Sequence, residues 1–378
     1  MKNIDTTFTW DSANHQTFNS PGVTILKGNP ETFNKMRGCG LDVYGRAIDG
    51  TTAGPLILAP DISNDSGVIN WGAESTSPAY RNPSFNFWRQ ADFRISGNRQ
   101  LKTTQFIDGS DPQHENVIKF NLYDDSRVTL ENLTCVILKM AMLETWKSLD
   151  FDDLLQPKFS ISAEVVELFY QAKLNGNSIL DVQANLISVT NFHGALIGGL
   201  YFYDNSGIVL NDSFSPHNES KLKLMNSSVF RDFSFGNINA RTIYNGVPDN
   251  NTTDVVAIDA FDNANVSICT EQFLQDTGKG KIIQLSGGAQ VTIKPMNGII
   301  PINLVEEMYH PTEKCWPGMI NFKSGSKATL RLIGTALQSD QSVAALNSLK
   351  LVYVDGKPVD IASNFNIYLT DGITLMLK

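Results

Sequence analysis

Asp212 and Asp232 come closest in this chain to a pair of groups that could do chemistry. Each follows a run of apolar residues, Ile208 with Leu210 and Val229 with Phe230, so the two carboxylates are expected about one strand register apart on successive turns of chain. His193 falls roughly one register below them and Glu271 roughly one above. Two neighbouring carboxylates can share a proton or divide the work of acid and base, and in glycoside hydrolysis they flank one bond at about 5 to 9.5 Å. The plainer alternative is that Asp212, within Asn211-Asp212-Ser213, is a turn residue and that Asp232 pairs with Arg231 or a loop amide.

Asp254, Asp259 and Asp262 form an acidic stretch that could bind a cation or sugar hydroxyls, but they lack calcium-loop spacing, and no metal site is expected. No GxSxG, GxxxxGK[ST], HExxH or GxGxxG occurs, and no cofactor is expected. His15, His114, His193, His217 and His310 stand alone. Cys39, Cys135, Cys269 and Cys315 are far apart, and Cys135 and Cys269 read as small core hydrophobes. The remaining candidates are aromatic. Phe202 and Phe230 are expected to face outward, with Asp181 and Lys223 on neighbouring turns, as a ledge on which a sugar ring could stack. Tyr201 and Tyr203 are expected to point inward.

A recurring apolar template is what would position these groups. It reads Leu180, Val182, corner, Ile187, Val189; then Tyr201, Tyr203, corner, Ile208, Leu210; then Leu222, Leu224, corner, Val229. The starts are 21 residues apart and each corner is four residues long. Alternation at period two puts every second side chain on one face of a strand, and a fixed corner turns that face round a common interior. Self-similarity at this period marks a solenoid, with Leu180, Tyr201 and Leu222 sharing an interior row. Looser copies carry Phe93 with Ile95, Phe120 with Leu122 and Val128 with Leu130, Ile258 with Val266 and Ile268, Ile283 with Leu285 and Val291 with Ile293, and Ile320 with Phe322 and Leu330. An ordinary β-sandwich is the alternative, and the equal spacing argues against it.

Residues 140–176 interrupt the template. Ser162 as N-cap, Glu164 in the first turn, the stripe Val165, Leu168, Phe169 and Ala172, and a stop at Lys173 and Gly176 predict a helix over 162–175. A second short helix is expected around 149–155. The stripe must bury somewhere, and Phe202 and Phe230 are the nearest surface for it. Residues 1–90 are turn-rich and read as an N-terminal cap, with Trp71, Phe85, Phe87 and Trp88 covering the open edge. Residues 91–335 form the body. Residues 336–378 read as a C-terminal cap, with helical turns over 342–348 and strands joined at Asp355-Gly356 and Asp371-Gly372.

The chain has 378 residues, a net charge of −9 and scattered Lys and Arg, so a nucleic-acid partner is not expected. It shows neither a Sec-type leader nor a run of about 18 apolar residues, so no membrane span is expected. The location that follows is extracellular by another route, particle-associated or cytoplasmic. The paired-strand rungs, Asn- and Gly-bearing corners and irregular loop insertions, over roughly residues 90–335, resemble right-handed parallel β-helix proteins of the pectate-lyase-like superfamily. That group includes polysaccharide lyases and hydrolases, phage tailspikes and bacterial adhesin passengers. The resemblance implies an all-β, right-handed parallel β-helix solenoid, to which the residues read above add a helical insertion near 140–176 and end caps. Asp124-Asp125 and Asp152-Asp153 occur without the other polygalacturonase elements, and no pectate-lyase calcium pattern is present. The expected function is therefore a non-catalytic binding or adhesion body for a glycan or cell surface. The alternatives are a polysaccharide lyase or glycoside hydrolase using the loop carboxylates, and a structural component of a phage or surface particle, which an oligomer would suit.

Overall fold

The computed structural model describes residues 8–46, 52–60, 67–73, 84–97, 104–107, 118–139, 141–146, 156–189, 199–211, 221–245, 256–275, 281–295, 318–334 and 337–378. The chain divides into two compact units, Met1–Ala184 and Asn185–Lys378. Each is built mostly of parallel strands stacked into long ladders, an arrangement compatible with a solenoid.

In the first unit, Gln16–Phe18, Leu41–Tyr44, Ser84–Trp88, Ile118–Tyr123, Ala141–Trp146 and Gln171–Leu174 follow one another along a first ladder. A middle ladder runs through Thr24–Gly28, Leu56–Pro60, Asp92–Ser96, the front halves of Arg127–Ile137 and Lys158–Leu168, and Ile179–Gln183. A third runs through Lys35–Met36, Gly67–Ala73, Thr104–Ile107 and the rear halves of the two long strands. In the second unit the first ladder is Gly199–Phe202, Ser228–Phe230, Ile258–Ala260, Ile283–Leu285, Ile320–Phe322 and Val352–Val354. The middle ladder is Gly207–Asn211, Phe235–Asn239, Asn265–Thr270, Gln290–Pro295 and Thr329–Ile333. The third is Leu186–Val189, Lys221–Leu224, Thr242–Asn245 and Gln272–Gln275.

A turn of chain thus carries three strands, where the template assumed two. This corrects the shared row. Leu180 pairs with Phe159 in a middle ladder, and Leu222 lies between Ile187 and Ile243 in a third ladder. Tyr201 is on a first-ladder strand whose inward residues are Leu200 and Phe202. A two-strand template laid over three-strand turns slips by one strand at each copy, and at Tyr201 it also slips by one residue, which exchanges the two faces. The looser copies fare better because each spans one first strand and the middle strand that follows it. Phe120, Leu122, Val128 and Leu130 are fully buried, as are Leu285, Val291, Ile293, Phe322 and Leu330.

Most corners from first to middle strand share one design. Tyr123, Tyr203, Arg231 and Phe261 each open a four-residue turn, and the carbonyl of each accepts a hydrogen bond from the N–H three residues on. The second residue has positive φ, as at Asp124, Asp204, Asp232, Asp262 and Gly287. Asp and Gly reach that region most readily. The fourth is a small buried residue, Ser126, Ser206, Ser234, Ala264 or Ala289. From middle to third strand, Arg127–Ile137 bends at Asn132, φ +56°, where the pairing register shifts between Leu130 and Leu133. Gly97 sits against this bend, and a Cβ there would overlap the Asn132 carbonyl.

Residues 162–175 are not helical. Lys158–Leu168 and Gln171–Leu174 are strands, with Phe159, Ile161, Val166, Leu168, Ala172 and Leu174 buried. The stripe at helical spacing coexists with an alternating one, and hydrogen bonding to strands on both sides selects the extended form. The segment 149–155 lies outside the described residues. The N-terminal edge is also covered differently from expectation. Trp71, Phe85 and Phe87 are interior, while Trp10 lies over Phe33 and stacks 6.1 Å from Trp71. Beneath Trp10 the fully buried Lys35 donates to Asp11 O, Asn14 O and Gln16 Oε1, and burial lowers its pKa to about 8. At the other end Asp340–Ser348 is a helix capped by Ser339. Val352–Val354 with Lys357–Pro358, and Phe365–Tyr368 with Gly372–Leu377, are antiparallel pairs at the two Asp-Gly signals. Among the described residues no helix is long and apolar enough to cross a membrane.

Candidate binding face

The outward side of the first ladder in the Met1–Ala184 unit carries two columns set by period two. Asp42, Asn86, Asn121, Glu144 and Lys173 are in register on five successive strands. Two residues further along each of the first four strands stand Tyr44, Trp88, Tyr123 and Trp146. The polar column is chained by its amides: Asn86 Nδ2 donates to Asp42 Oδ1 and Asn121 Nδ2 to Asn86 Oδ1, each at 2.7 Å. His15 Nε2 closes one end at 3.1 Å from Asp42 Oδ2. The aromatic column is a stack, with Trp88 and Tyr123 centroids 3.7 Å apart and interplanar angles of 10°, 3° and 11° along the series.

Such stacking contributes about 0.5 to 1.5 kcal/mol per pair beyond area burial and would serve the sheet without any ligand. What exceeds that role lies at the far end. Trp146 is 45% exposed and has a described ring on one side only. Glu144 and Lys173 are directly opposite in register, yet neither side chain has a hydrogen bond or ion pair among the described residues. Lys119, exposed on the Ile118–Tyr123 strand, is likewise unpaired among them. The Trp88 indole N–H is buried without a described partner. The Tyr123 hydroxyl pKa is raised, first by burial and then by the charges of Glu144 and Asp42. Among the described residues the face thus offers unpaired acceptors, unpaired donors and one indole face that no described ring covers. Its sequence signal is an acid or amide, any residue, then Tyr or Trp, at the end of four successive first-ladder strands.

The sites read from sequence are placed elsewhere. Phe202 and Phe230 are fully buried and stack on each other at 4.9 Å, so they are core and form no outward ledge. Tyr201 and Tyr203 are the half-buried ones. Asp181 pairs with Lys158 at 2.8 Å in the first unit, and Lys223 lies between Ser188 and Tyr244 in the second. Asp212 and His193 lie outside the described residues, as does Asp254. Glu271 pairs with Arg241 at 2.7 Å, beyond the end of the middle-ladder strands, while Asp232 sits in the corner before their start. At least about 16 Å of extended strand separates those two corners, too far to flank one bond. Cys135 and Cys269 are half-buried on the outward side instead of in the core, and burial pushes both thiols up.

Asp232 has a visible structural task. Its Oδ2 accepts the Asp204 N–H at 3.1 Å, and Asp262 Oδ2 accepts the Asp232 N–H at 3.3 Å, so each corner aspartate caps the corner before it. Asp232→Ala is therefore expected to cost about 1 to 2 kcal/mol through the lost cap and the positive φ. Asp232→Asn should recover most of that loss in urea denaturation, and equal losses in both variants would contradict the capping role.

In the second unit the outward column of the first ladder reads Tyr201, Val229, Asp259, Gln284, Asn321, Tyr353. Unlike the face above, it is covered: Gln284 is 3% and Asn321 0% exposed. Gln284 Nε2 donates to Asp259 Oδ1, Asn321 Nδ2 to Gln284 Oε1, and Gly356 N to Asn321 Oδ1. Burial raises the Asp259 pKa to about 6, against the lowering effects of the Gln284 hydrogen bond and of Lys323, Arg231 and Lys281. Asp259 and Asp262 belong to the acidic stretch read from sequence, but one is a covered ladder residue and the other a corner cap.

No family model, curated protein or solved structure matches the chain. Among the described residues no group of three His, Cys, Asp or Glu could hold a metal ion. The functional reading therefore rests on the faces just described.

Proposed function

We propose that the protein is a non-catalytic binding or adhesion body, a right-handed parallel β-helix that recognises a glycan or a cell-surface carbohydrate through the outward face at Asn121, Tyr123, Glu144, Trp146 and Lys173. The observation that carries this reading is the juxtaposition of an exposed indole with unpaired hydrogen-bonding groups on a rigid ladder. Sugar sites combine an aromatic surface with a few fixed polar groups, and a ladder residue is held more firmly than a loop residue. Right-handedness is supported by the strong rule for crossovers between parallel strands.

A panel of neutral and acidic polysaccharides tests the proposal. The expected result is retention of the intact protein on at least one of them without new reducing ends or unsaturated products. Product formation, abolished by Asp232→Asn or Glu271→Gln, would replace this reading with a lyase or hydrolase. Retention on none would overturn it.

A further inference from the structure

We infer that the occupant of this face is a neutral, hydroxyl-rich glycan, with one pyranose seated on the side of Trp146 that no described ring covers. The inference rests on the glycan reading above and specifies its class and its anchor.

The first argument is spacing. Adjacent strands lie about 4.8 Å apart, so a pyranose packed face-on against Trp146 stands about one strand beyond it, level with the strand that carries Lys173 and next to the one that carries Glu144. The second is hydrogen-bonding capacity. Asn121 has spent Nδ2 on Asn86 and keeps Oδ1 as an acceptor, Glu144 offers two carboxylate oxygens to a pair of hydroxyls, and Lys173 and Lys119 donate to hydroxyl or ring oxygens. The third is charge. Asp42 and Glu144 offset Lys119 and Lys173 on the face itself, and the chain carries −9 overall, which disfavours a polyanion. The fourth is ring geometry. Tyr44, Trp88 and Tyr123 are stacked nearly parallel with one another and turn their edges outward, whereas Trp146 ends the series with an indole face that no described ring covers. A sugar's C–H face packs on a ring face, so Trp146 is the anchor and the other three rings form the floor.

The test measures binding of the full chain to neutral linear glucans, mannans and galactans and to uronate and sulfated polymers, with Trp146→Ala and Glu144→Gln as variants. Both positions are at the surface, and native folding of each variant is checked by its unchanged denaturation midpoint. The expected result is binding to a neutral glycan that added salt leaves unchanged, weakened about tenfold or more by Trp146→Ala and several-fold by Glu144→Gln. Undiminished binding in both variants would overturn the inference while leaving glycan recognition intact. Binding confined to polyanions and lost on adding salt would overturn the proposed class. Binding to no glycan would remove this inference and the reading beneath it together.

Discussion

Asp259→Asn is expected to stabilise the protein at about pH 8 by up to about 3 kcal/mol, the gap from 3.8 to about 6 taken at roughly 1.4 kcal/mol per pKa unit. The sign follows from which state holds the proton more tightly. Burial raises the carboxyl of the folded protein above its value in the unfolded chain, so folding takes up a proton in the intervening range. Stability contributed at this site is therefore highest at about pH 4 and below. It falls as pH rises through about 6, then levels off with the charged form buried. The amide of Asn keeps an oxygen where Gln284 Nε2 donates and carries no charge to desolvate. Urea denaturation of both proteins between about pH 4 and pH 8 should give curves that nearly meet at the acid end and diverge at the alkaline end. Parallel curves would mean that the carboxylate is solvated and that the covered column is open to water.

Trp71→Ala is expected to cost about 3 to 5 kcal/mol, as for other large aromatic residues truncated in a core. Trp71 has no exposed surface and touches rings on every side: Phe85 stacks at 4.0 Å, Phe106 meets it edge-on at 5.2 Å, and Phe93, Phe120 and Trp10 lie within 6.1 Å. Its Nε1 also donates to Phe33 O at 3.0 Å, so truncation leaves both a cavity and an orphaned carbonyl. Trp71→Phe should recover much of the packing and none of the hydrogen bond, placing its denaturation midpoint between the two. Domains are typically stable by only about 5 to 15 kcal/mol, so the alanine variant should lose a large part of the cooperative transition. An unchanged midpoint would remove Trp71 from the centre of the first unit's core.

The candidate face was partly legible. Asp42, Asn86, Asn121 and Glu144 each stand two residues before a Tyr or Trp at a strand end, which alternation alone puts on one face. The stacking of Tyr44, Trp88, Tyr123 and Trp146 was not, because those residues are 44, 35 and 23 positions apart and meet only once the strands are in register. Phe202 and Phe230 were misread for a related reason. Reading Tyr201 and Tyr203 as the inward pair is as good an alternation as Leu200 and Phe202, and only the pairing of Phe202 with Phe230 and Ala260 chooses between them. For the corner aspartates the sequence suggests only that Asp232 pairs with Arg231 or a loop amide. Their carboxylates reach a neighbouring turn of chain, and one sequence cannot state which turn is the neighbour.

Taken alone, the sequence determined what is local: alternating strands, glycine-bearing corners, helical turns within Asp340–Ser348 and the hairpin signals at Asp355-Gly356 and Asp371-Gly372, whereas the corners expected to carry Asn carry Asp at the positive-φ position. These depend on backbone preferences within a few residues and survive whatever the chain packs against. The tertiary structure decided the rest. It set three strands to a turn, made 158–174 extended where a helical stripe competed, turned Phe202 and Phe230 inward, and buried Asp259 under cover. Each of these outcomes is fixed by hydrogen bonds and side chains one full turn away. A one-residue change in that register exchanges every inward and outward position on a strand.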